Sequence, residues 1–144
     1  MNEELSDRDV EYILAIYQIE KETDCAVGPK AISERLKVSR PTALEMLKRL
    51  EQRKIVKYYH KKGAKLTRYG KDLALRIIRR QRILETLLYN EYNLSQEEIL
   101  EHAVALRSKI SDKLIDVFCG HMGHPKFCPH GEPIPQGKNC CVRR

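Results

Sequence analysis

Residues 39–53 constrain the fold most, because they combine a strong helix start with two contrasting faces. Ser39 can accept a hydrogen bond from an early backbone N–H, and Pro41 suits the first turn, where no donor is needed. Helical spacing predicts a buried face made of Ala43, Leu44, Leu47 and Leu50. The opposite face is polar and consists of Thr42, Glu45, Lys48, Arg49 and Gln52. This pattern is typical both of the reading helix of a helix-turn-helix and of an ordinary solvated amphipathic helix.

The flanking segments favour a winged helix-turn-helix. A short helix is predicted over residues 30–37, followed by a tight turn into the helix that starts at Ser39. After Arg53 the apolar period changes toward two, which predicts a β-hairpin over residues 55–66. Such a hairpin is a wing, and its basic residues would contact DNA phosphates without reading sequence. These residues are Lys61, Lys62 and Lys65.

Positive charge is concentrated in the middle of the chain. Residues 25–90 carry 18 basic and 5 acidic side chains, whereas residues 1–24 carry 2 basic and 8 acidic ones. The remaining residues are balanced, and the formal net charge of the whole chain is +7. A one-sided basic block is typical of a module that binds a polyanion. A solvated basic surface without a partner is the alternative interpretation.

The rest of the chain predicts a mainly α protein in three parts. Capping residues and apolar periodicity predict helices over residues 7–22, 68–90, 96–109 and 112–118. We expect a winged helix-turn-helix domain at 1–70, a helical dimerisation domain at 71–118 and an irregular, Cys-rich tail at 119–144. The apolar stripe of the long helix exceeds what a small winged domain buries. We interpret its second half as part of a dimer interface, and packing within one chain is the alternative.

The composition argues against a membrane protein. No apolar run approaches the roughly 20 residues that span a bilayer. The acidic start of the chain contains no apolar segment of the kind found in signal peptides. We therefore expect a cytoplasmic protein with no membrane partner.

Four of the five cysteines lie in the predicted tail, at Cys119, Cys128, Cys140 and Cys141. Four thiolates suit tetrahedral zinc or an iron–sulfur cluster, and three histidines lie among them: His121, His124 and His130. The adjacent Cys140-Cys141 pair departs from the usual C-x2-C spacing. Three interpretations stay open: a cluster or metal ion (iron, zinc or manganese) that acts as a sensor, a structural zinc site, and free or disulfide-forming thiols. The fifth, Cys25, is expected to be a buried small apolar residue.

The order of elements and four stretches resemble the diphtheria-toxin-repressor family of iron- and manganese-dependent regulators. The stretches are residues 11–17, 38–42, 66–71 and 124–135, and the last is the most specific. The resemblance implies a homodimer that binds palindromic operators in double-stranded DNA when it is loaded with metal. It implies DNA contacts from Ser39, Pro41, Thr42 and Glu45. We add the basic residues of the same segment to the predicted contacts, namely Arg40, Lys48 and Arg49.

The chain departs from this family at the usual metal ligands. Carried over by position, these ligands fall on Glu11, Gln81, Glu85, Val104, Arg107 and Ser108. Glu11 and Glu85 could bind a cation, but an arginine adds positive charge and offers no lone pair. We therefore expect the usual iron or manganese site to be dismantled and Arg107 to pair with Glu11 or Glu85. Four residues remain as secondary metal candidates beside the thiols: Glu11, Glu85, His124 and His130.

These observations favour a sequence-specific transcriptional regulator, a repressor by family, with metal, iron–sulfur or redox sensing through the C-terminal cysteines. Cys128 and His130 place a thiol near an imidazole, but no oxyanion-stabilising loop or cofactor motif accompanies them. We therefore expect no enzymatic activity. The alternatives are a winged-helix regulator whose tail binds only structural zinc, and a protein-interaction module that does not bind DNA.

Overall fold

The structure, a computed structural model, describes residues 4–141, which fall into two compact units, Met1–Ala74 and Leu75–Arg144. The first three residues, used above for the signal-peptide prediction, and the last three of the predicted tail lie outside the described range. The elements are α1 Asp7–Thr23, α2 Pro29–Leu36, α3 Arg40–Gln52, β1 Val56–Tyr59, β2 Gly63–Leu66, α4 Arg68–Glu91, α5 Gln96–Leu106 and α6 Asp112–His121. The prediction of a mainly helical chain with one small hairpin is confirmed.

Side-chain caps set the starts of several helices. Ser6 accepts from the backbone N–H of Asp9 (3.0 Å) while the Asp9 carboxylate accepts from the Ser6 N–H (3.0 Å), which closes a capping box on α1. Ser39 accepts from the N–H of Thr42 (3.2 Å) at the start of α3, as predicted. The buried face of α3 differs by one residue from the prediction, because Met46 is buried and Leu44 is only half-buried.

The hairpin is attached to the linker between α1 and α2. Strands β1 and β2 pair antiparallel, and Ala64 exchanges two backbone hydrogen bonds with Val27 (2.7 and 2.8 Å). Gly63 has a φ of +108°, and a Cβ there would lie 2.6 Å from the carbonyl carbon of Val27. Only glycine therefore permits the wing to approach this linker so closely.

The second unit packs its helices around a core to which the tail contributes. Leu84 of α4 is only 3% exposed and lies in this core, so this part of the apolar stripe packs within the chain rather than on a partner. Leu87 and Leu88 are half-buried. The core consists of Ile83, Leu84, Ala103, Ile115, Cys119, Cys128, Ile134 and Cys140.

Residues 122–141 contain no helix or strand in the described structure, as their glycines and prolines predict. A tight loop closes where the N–H of Cys128 donates to the carbonyl of Glu132 (2.9 Å) and the N–H of Ile134 donates to the carbonyl of Lys126 (2.8 Å). Over residues 4–141, none of the helices is long and apolar enough to cross a bilayer.

Candidate functional site

The exposed face of α3 presents a continuous set of polar side chains. Thr42 is half-buried, and its hydroxyl accepts a hydrogen bond from the hydroxyl of Ser39 (2.7 Å). The other predicted contact residues of this segment are exposed: Ser39, Arg40, Pro41, Glu45, Lys48 and Arg49. Backbone N–H groups, small hydroxyls and cations on one face can contact phosphates and base edges.

The wing presents the predicted basic residues to solvent, since Lys61, Lys62 and Lys65 are all exposed. Lys57 on β1 lies over the ring of Tyr59, with its Nζ 5.4 Å from the ring centroid. A carboxylate oxygen of Glu51 in α3 accepts from the backbone N–H of Tyr58 (2.5 Å). This contact joins α3 to the hairpin.

An ion pair that the sequence did not reveal holds the far end of α3. Arg53 at the C-cap donates through Nη1 to Oδ2 of Asp9 (2.8 Å), and Asp9 is buried. Burial alone would raise the pKa of Asp9, but hydrogen bonds from Ser6 and the pairing with Arg53 outweigh it and lower the pKa. The pair therefore fastens α3 to the first helix through a charged carboxylate.

Gln81 and Glu85, two of the positions that match the family's usual metal ligands, are linked to Arg107 by hydrogen bonds. Arg107 donates to the amide oxygen of Gln81 (2.7 Å), and the Gln81 amide nitrogen donates to Oε1 of Glu85 (2.8 Å). Glu85 is only 4% exposed, whereas Val104 is exposed on α5. Glu11 is exposed on α1, in the first unit. Arg107 thus lies at a position where the family would place a metal ligand, and it supplies the positive charge in this series of hydrogen bonds.

A first group of possible metal ligands consists of Glu85, Cys128 and His130, whose ligand atoms all lie within 4.8 Å of one another. His130 Nδ1 lies 3.7 Å from Oε2 of Glu85. Glu85 and Cys128 are buried, and His130 is exposed at the edge of the group. One oxygen, one sulfur and one nitrogen ligand suit a divalent transition metal rather than Mg²⁺ or Ca²⁺.

A second group consists of Cys119, His124, Cys140 and Cys141, again with all ligand atoms within 4.8 Å. Three of the four predicted tail thiols lie in this group together with His124, whereas Cys128 lies with Glu85 and His130 in the first group. His121 lies outside both groups, with its Nε2 3.6 Å from Oε1 of Glu91. Cys25 is exposed, so the expectation that it is buried was wrong.

Two thiols of the second group, those of Cys119 and Cys140, have raised pKa values. Burial raises the pKa of Cys119 to about 12, although the neighbouring Arg79 guanidinium opposes this. Burial likewise raises the pKa of Cys140. Without a bound cation both thiols are neutral near pH 7, which does not fit a catalytic cysteine.

Arg79 is a buried cation beside the second ligand group that the sequence did not single out. It is 5% exposed and donates to Oδ1 of Asp116 (2.9 Å) and to the carbonyl of Pro135 (3.1 Å). Its pKa is raised: burial opposes the charge, but the hydrogen bonds to Asp116 and Cys119 favour it more. Arg79 thus joins α4, α6 and the tail beside the second ligand group.

In comparisons with known proteins, two family models match successive parts of the chain. The family model described as the N-terminal DNA binding domain of the iron dependent repressor matches residues 4–64. The model described as the metal binding and dimerisation domain of the iron dependent repressor matches residues 67–136. The iron-dependent repressor IdeR of Mycobacterium leprae (strain TN) is 30% identical over 138 residues, which covers 92% of this chain and 57% of IdeR. The chain thus spans a little over half the length of this curated relative.

Solved structures are similar over most of the chain. The hypothetical protein SSo2273 from Sulfolobus solfataricus has a TM-score of 0.79 and 27% identity, covering 91% of this chain and 99% of that one. The manganese regulator SloR has a TM-score of 0.75 and 35% identity, covering 88% of this chain and 59% of that one. The two matched domains together span nearly all of the described residues, and they confirm the predicted family. This chain belongs to the iron-dependent repressor family.

Proposed function

We propose that this chain is a homodimeric, sequence-specific DNA-binding repressor whose operator affinity depends on metal held in its second unit. The observation that carries the proposal is the exposed polar face of α3 beside a basic wing, within a unit that matches the family's DNA binding domain. Its curated relatives are named as repressors rather than as enzymes. The raised pKa values of Cys119 and Cys140 also argue against an activated nucleophile at either of these two thiols.

DNA recognition is divided between two sets of residues. Thr42 and Glu45 lie near the start of α3, the part of a reading helix that meets base edges in the major groove. The cations of α3 and of the wing are suited to phosphates, and their contacts would make affinity fall with salt. A dimer places two reading helices about one helical turn or a multiple apart, so the operator would be palindromic.

Dimerisation is assigned to the second unit. Helices α5 and α6 leave large apolar side chains exposed at helical spacing: Leu100, Val104, Leu114 and Val117. Exposed apolar residues grouped on one element are typical of protein interfaces. This unit matches the family's metal binding and dimerisation domain.

Metal control is assigned to Glu85, Cys128 and His130. A buried carboxylate that faces a thiol and an imidazole fits a divalent transition metal, which would neutralise the charge of Glu85. Iron and manganese, which the names of the relatives specify, are the first metals to test. Glu85 also accepts from Gln81, which in turn accepts from Arg107 at the C-cap of α5. The ligand group is thereby connected to the helix that carries Leu100 and Val104.

DNA binding can be tested with operators selected from random duplexes and measured by fluorescence anisotropy at two salt concentrations. We expect Thr42→Ala to relax sequence preference and to cost about 1–3 kcal/mol. Lys62→Ala should weaken binding to all duplexes and reduce the salt slope by about one, and Lys113→Ala on α6 is the matched lysine control. No retention of any duplex at low salt would refute the proposal.

A further inference from the structure

We propose that Cys119, His124, Cys140 and Cys141 bind one zinc ion in a tetrahedral Cys₃His site that fixes the tail to α6. This site is separate from the group of Glu85, Cys128 and His130, and its occupancy does not depend on the proposed DNA binding. It differs from the predicted four-thiol site in its ligand set, because His124 replaces Cys128, and it selects structural zinc among the interpretations that the sequence left open.

The spacing of the ligand atoms is that of a single tetrahedral ion. His124 Nδ1 lies 3.5 Å from the sulfur of Cys119 and 3.3 Å from the sulfurs of both Cys140 and Cys141. The Cys141 sulfur is 3.5 Å from that of Cys119 and 3.6 Å from that of Cys140. With Zn–S bonds of about 2.3 Å and Zn–N bonds of about 2.0 Å, tetrahedral angles place such atoms about 3.5–3.8 Å apart.

The same spacing argues against an iron–sulfur cluster. In a cluster the cysteine ligands surround a core of several iron and sulfide atoms, so their sulfurs lie farther apart than around one ion. Here all four ligand atoms lie within 4.8 Å of one another. Three thiolates and one imidazole are also a common ligand set of structural zinc.

The backbone adopts uncommon conformations at two of the ligands. His124 has a φ of +59° and Cys141 a φ of +66°, both in the left-handed region that non-glycine residues rarely occupy. Neighbouring side chains on an extended chain point to opposite sides, but Cys140 and Cys141 turn both sulfurs toward one centre. Such conformations persist where the surrounding structure holds them, as at ligand clamps.

The site explains how a tail without regular structure is held. Cys119 lies in the last turn of α6, and His124 follows within five residues, so these two ligands are positioned by the helix end. Cys140 and Cys141 come from the far end of the described tail. A zinc ion would close the chain between these ends, and the enclosed segment carries Cys128 and Ile134 into the core.

Zinc binding would release three protons, one from each thiol, and leave a complex with a net charge of −1. Arg79 lies beside this group, with its guanidinium hydrogen-bonded to Asp116 and in contact with Cys119. It therefore supplies a positive charge next to a thiolate of the complex.

Metal analysis of the full chain, purified under reducing conditions, tests the proposal. We expect one equivalent of zinc, and the cobalt-substituted protein should show the visible absorption of tetrahedral cobalt with thiolate ligands. Cys140→Ser and His124→Ala should lower zinc affinity at least tenfold. Cys128→Ser is the matched control and should retain both the zinc and the cobalt spectrum.

A conservative variant separates loss of a ligand from misfolding. His124→Cys restores four ligands, and we expect it to hold zinc with an altered cobalt spectrum. The proposal is overturned if Cys128→Ser loses the zinc while His124→Ala retains it. It is equally overturned by a brown iron–sulfur chromophore, or by a Cys140–Cys141 disulfide in protein that lacks zinc. Duplex binding is measured separately, so failure of either proposal can be recognised without the other.

Discussion

At the scale of single residues, the sequence predicted caps better than long-range partners. The caps at Ser6 and Ser39 follow from residue type and spacing within one turn, and both are present. Arg53 and Asp9 are 44 positions apart, and no local pattern could pair them.

Local patterns also could not show that His124, rather than Cys128, lies with the other three tail cysteines. The loop closed by the hydrogen bonds of Cys128 and Ile134 turns the Cys128 thiol toward Glu85 rather than toward the other three cysteines. Residue spacing alone cannot show which way a loop turns a side chain. The tail was identified as a ligand-rich segment, but its division into two groups required the fold.

The Asp9–Arg53 pair should contribute to the stability of the first unit. We expect Asp9→Asn to lower the free energy of unfolding by about 1–3 kcal/mol, because it removes the buried carboxylate that pairs with the half-buried Arg53. Urea unfolding followed by circular dichroism measures the loss. In a double-mutant cycle, adding Arg53→Gln should cost much less than it does in the wild type. Additive losses would show that the two groups do not interact.

The lowered pKa of Asp9 gives this contribution a pH dependence. A carboxylate whose pKa is depressed in the folded state stabilises fully above its unfolded value of about 3.9. That contribution should disappear as the pH falls through the folded pKa of Asp9. Between pH 7 and the acid limit of folding, the free energy of unfolding should therefore decrease less in Asp9→Asn than in the wild type. Parallel curves would contradict this assignment.

At the scale of elements, the period of the apolar residues predicted the number and order of helices and strands. The ends were less predictable: α6 continues to His121, three residues beyond the predicted end, and α5 stops at Leu106, three residues before it. Helix ends depend on caps and on tertiary contacts that local periodicity does not contain. The hairpin was predicted, but its attachment to Val27 was not, because that pairing joins distant segments.

Substitution by alanine should have opposite effects on stability at two glycines within helices. A Cβ at Gly70 in α4 would overlap the carbonyl oxygen of Ile55, so Gly70→Ala should destabilise by about 2 kcal/mol or more. Gly120 in α6 has open space around it, and Gly120→Ala should stabilise by about 0.5 kcal/mol. Urea unfolding of both variants checks the pair. A neutral Gly70→Ala would show that α4 does not pack against Ile55 as described.

At the scale of the whole molecule, the family and the function class were accessible because motifs and charge are properties of the sequence. The dimer interface was harder to predict, because an apolar stripe has the same sequence pattern whether it packs in its own core or against a partner. Leu84 shows this difficulty: it belongs to the second half of the stripe on α4, which was interpreted as part of a dimer interface, and it lies in the core of its own unit. The exposed apolar residues of α5 are better candidates.

We expect charge on α5 to disrupt the proposed dimer. Leu100 and Val104 are exposed and lie one turn apart, so Leu100→Glu combined with Val104→Glu should shift the chain toward monomer. Sedimentation velocity measures the shift, and Glu101→Gln on the same helix is the control. A double variant that stays dimeric, with unchanged dissociation at low concentration, would place the interface elsewhere.

Metal control is tested most directly by the operator affinity of the full chain before and after addition of iron(II) or manganese(II), in wild type and in Glu85→Gln. Coupling between a metal site and DNA binding typically amounts to 1–3 kcal/mol, or about 5- to 150-fold. We predict a tightening in this range for wild type and little change for Glu85→Gln, with zinc retained at the Cys₃His site in both. Equal operator affinity of the wild type with and without metal would contradict metal control of this repressor.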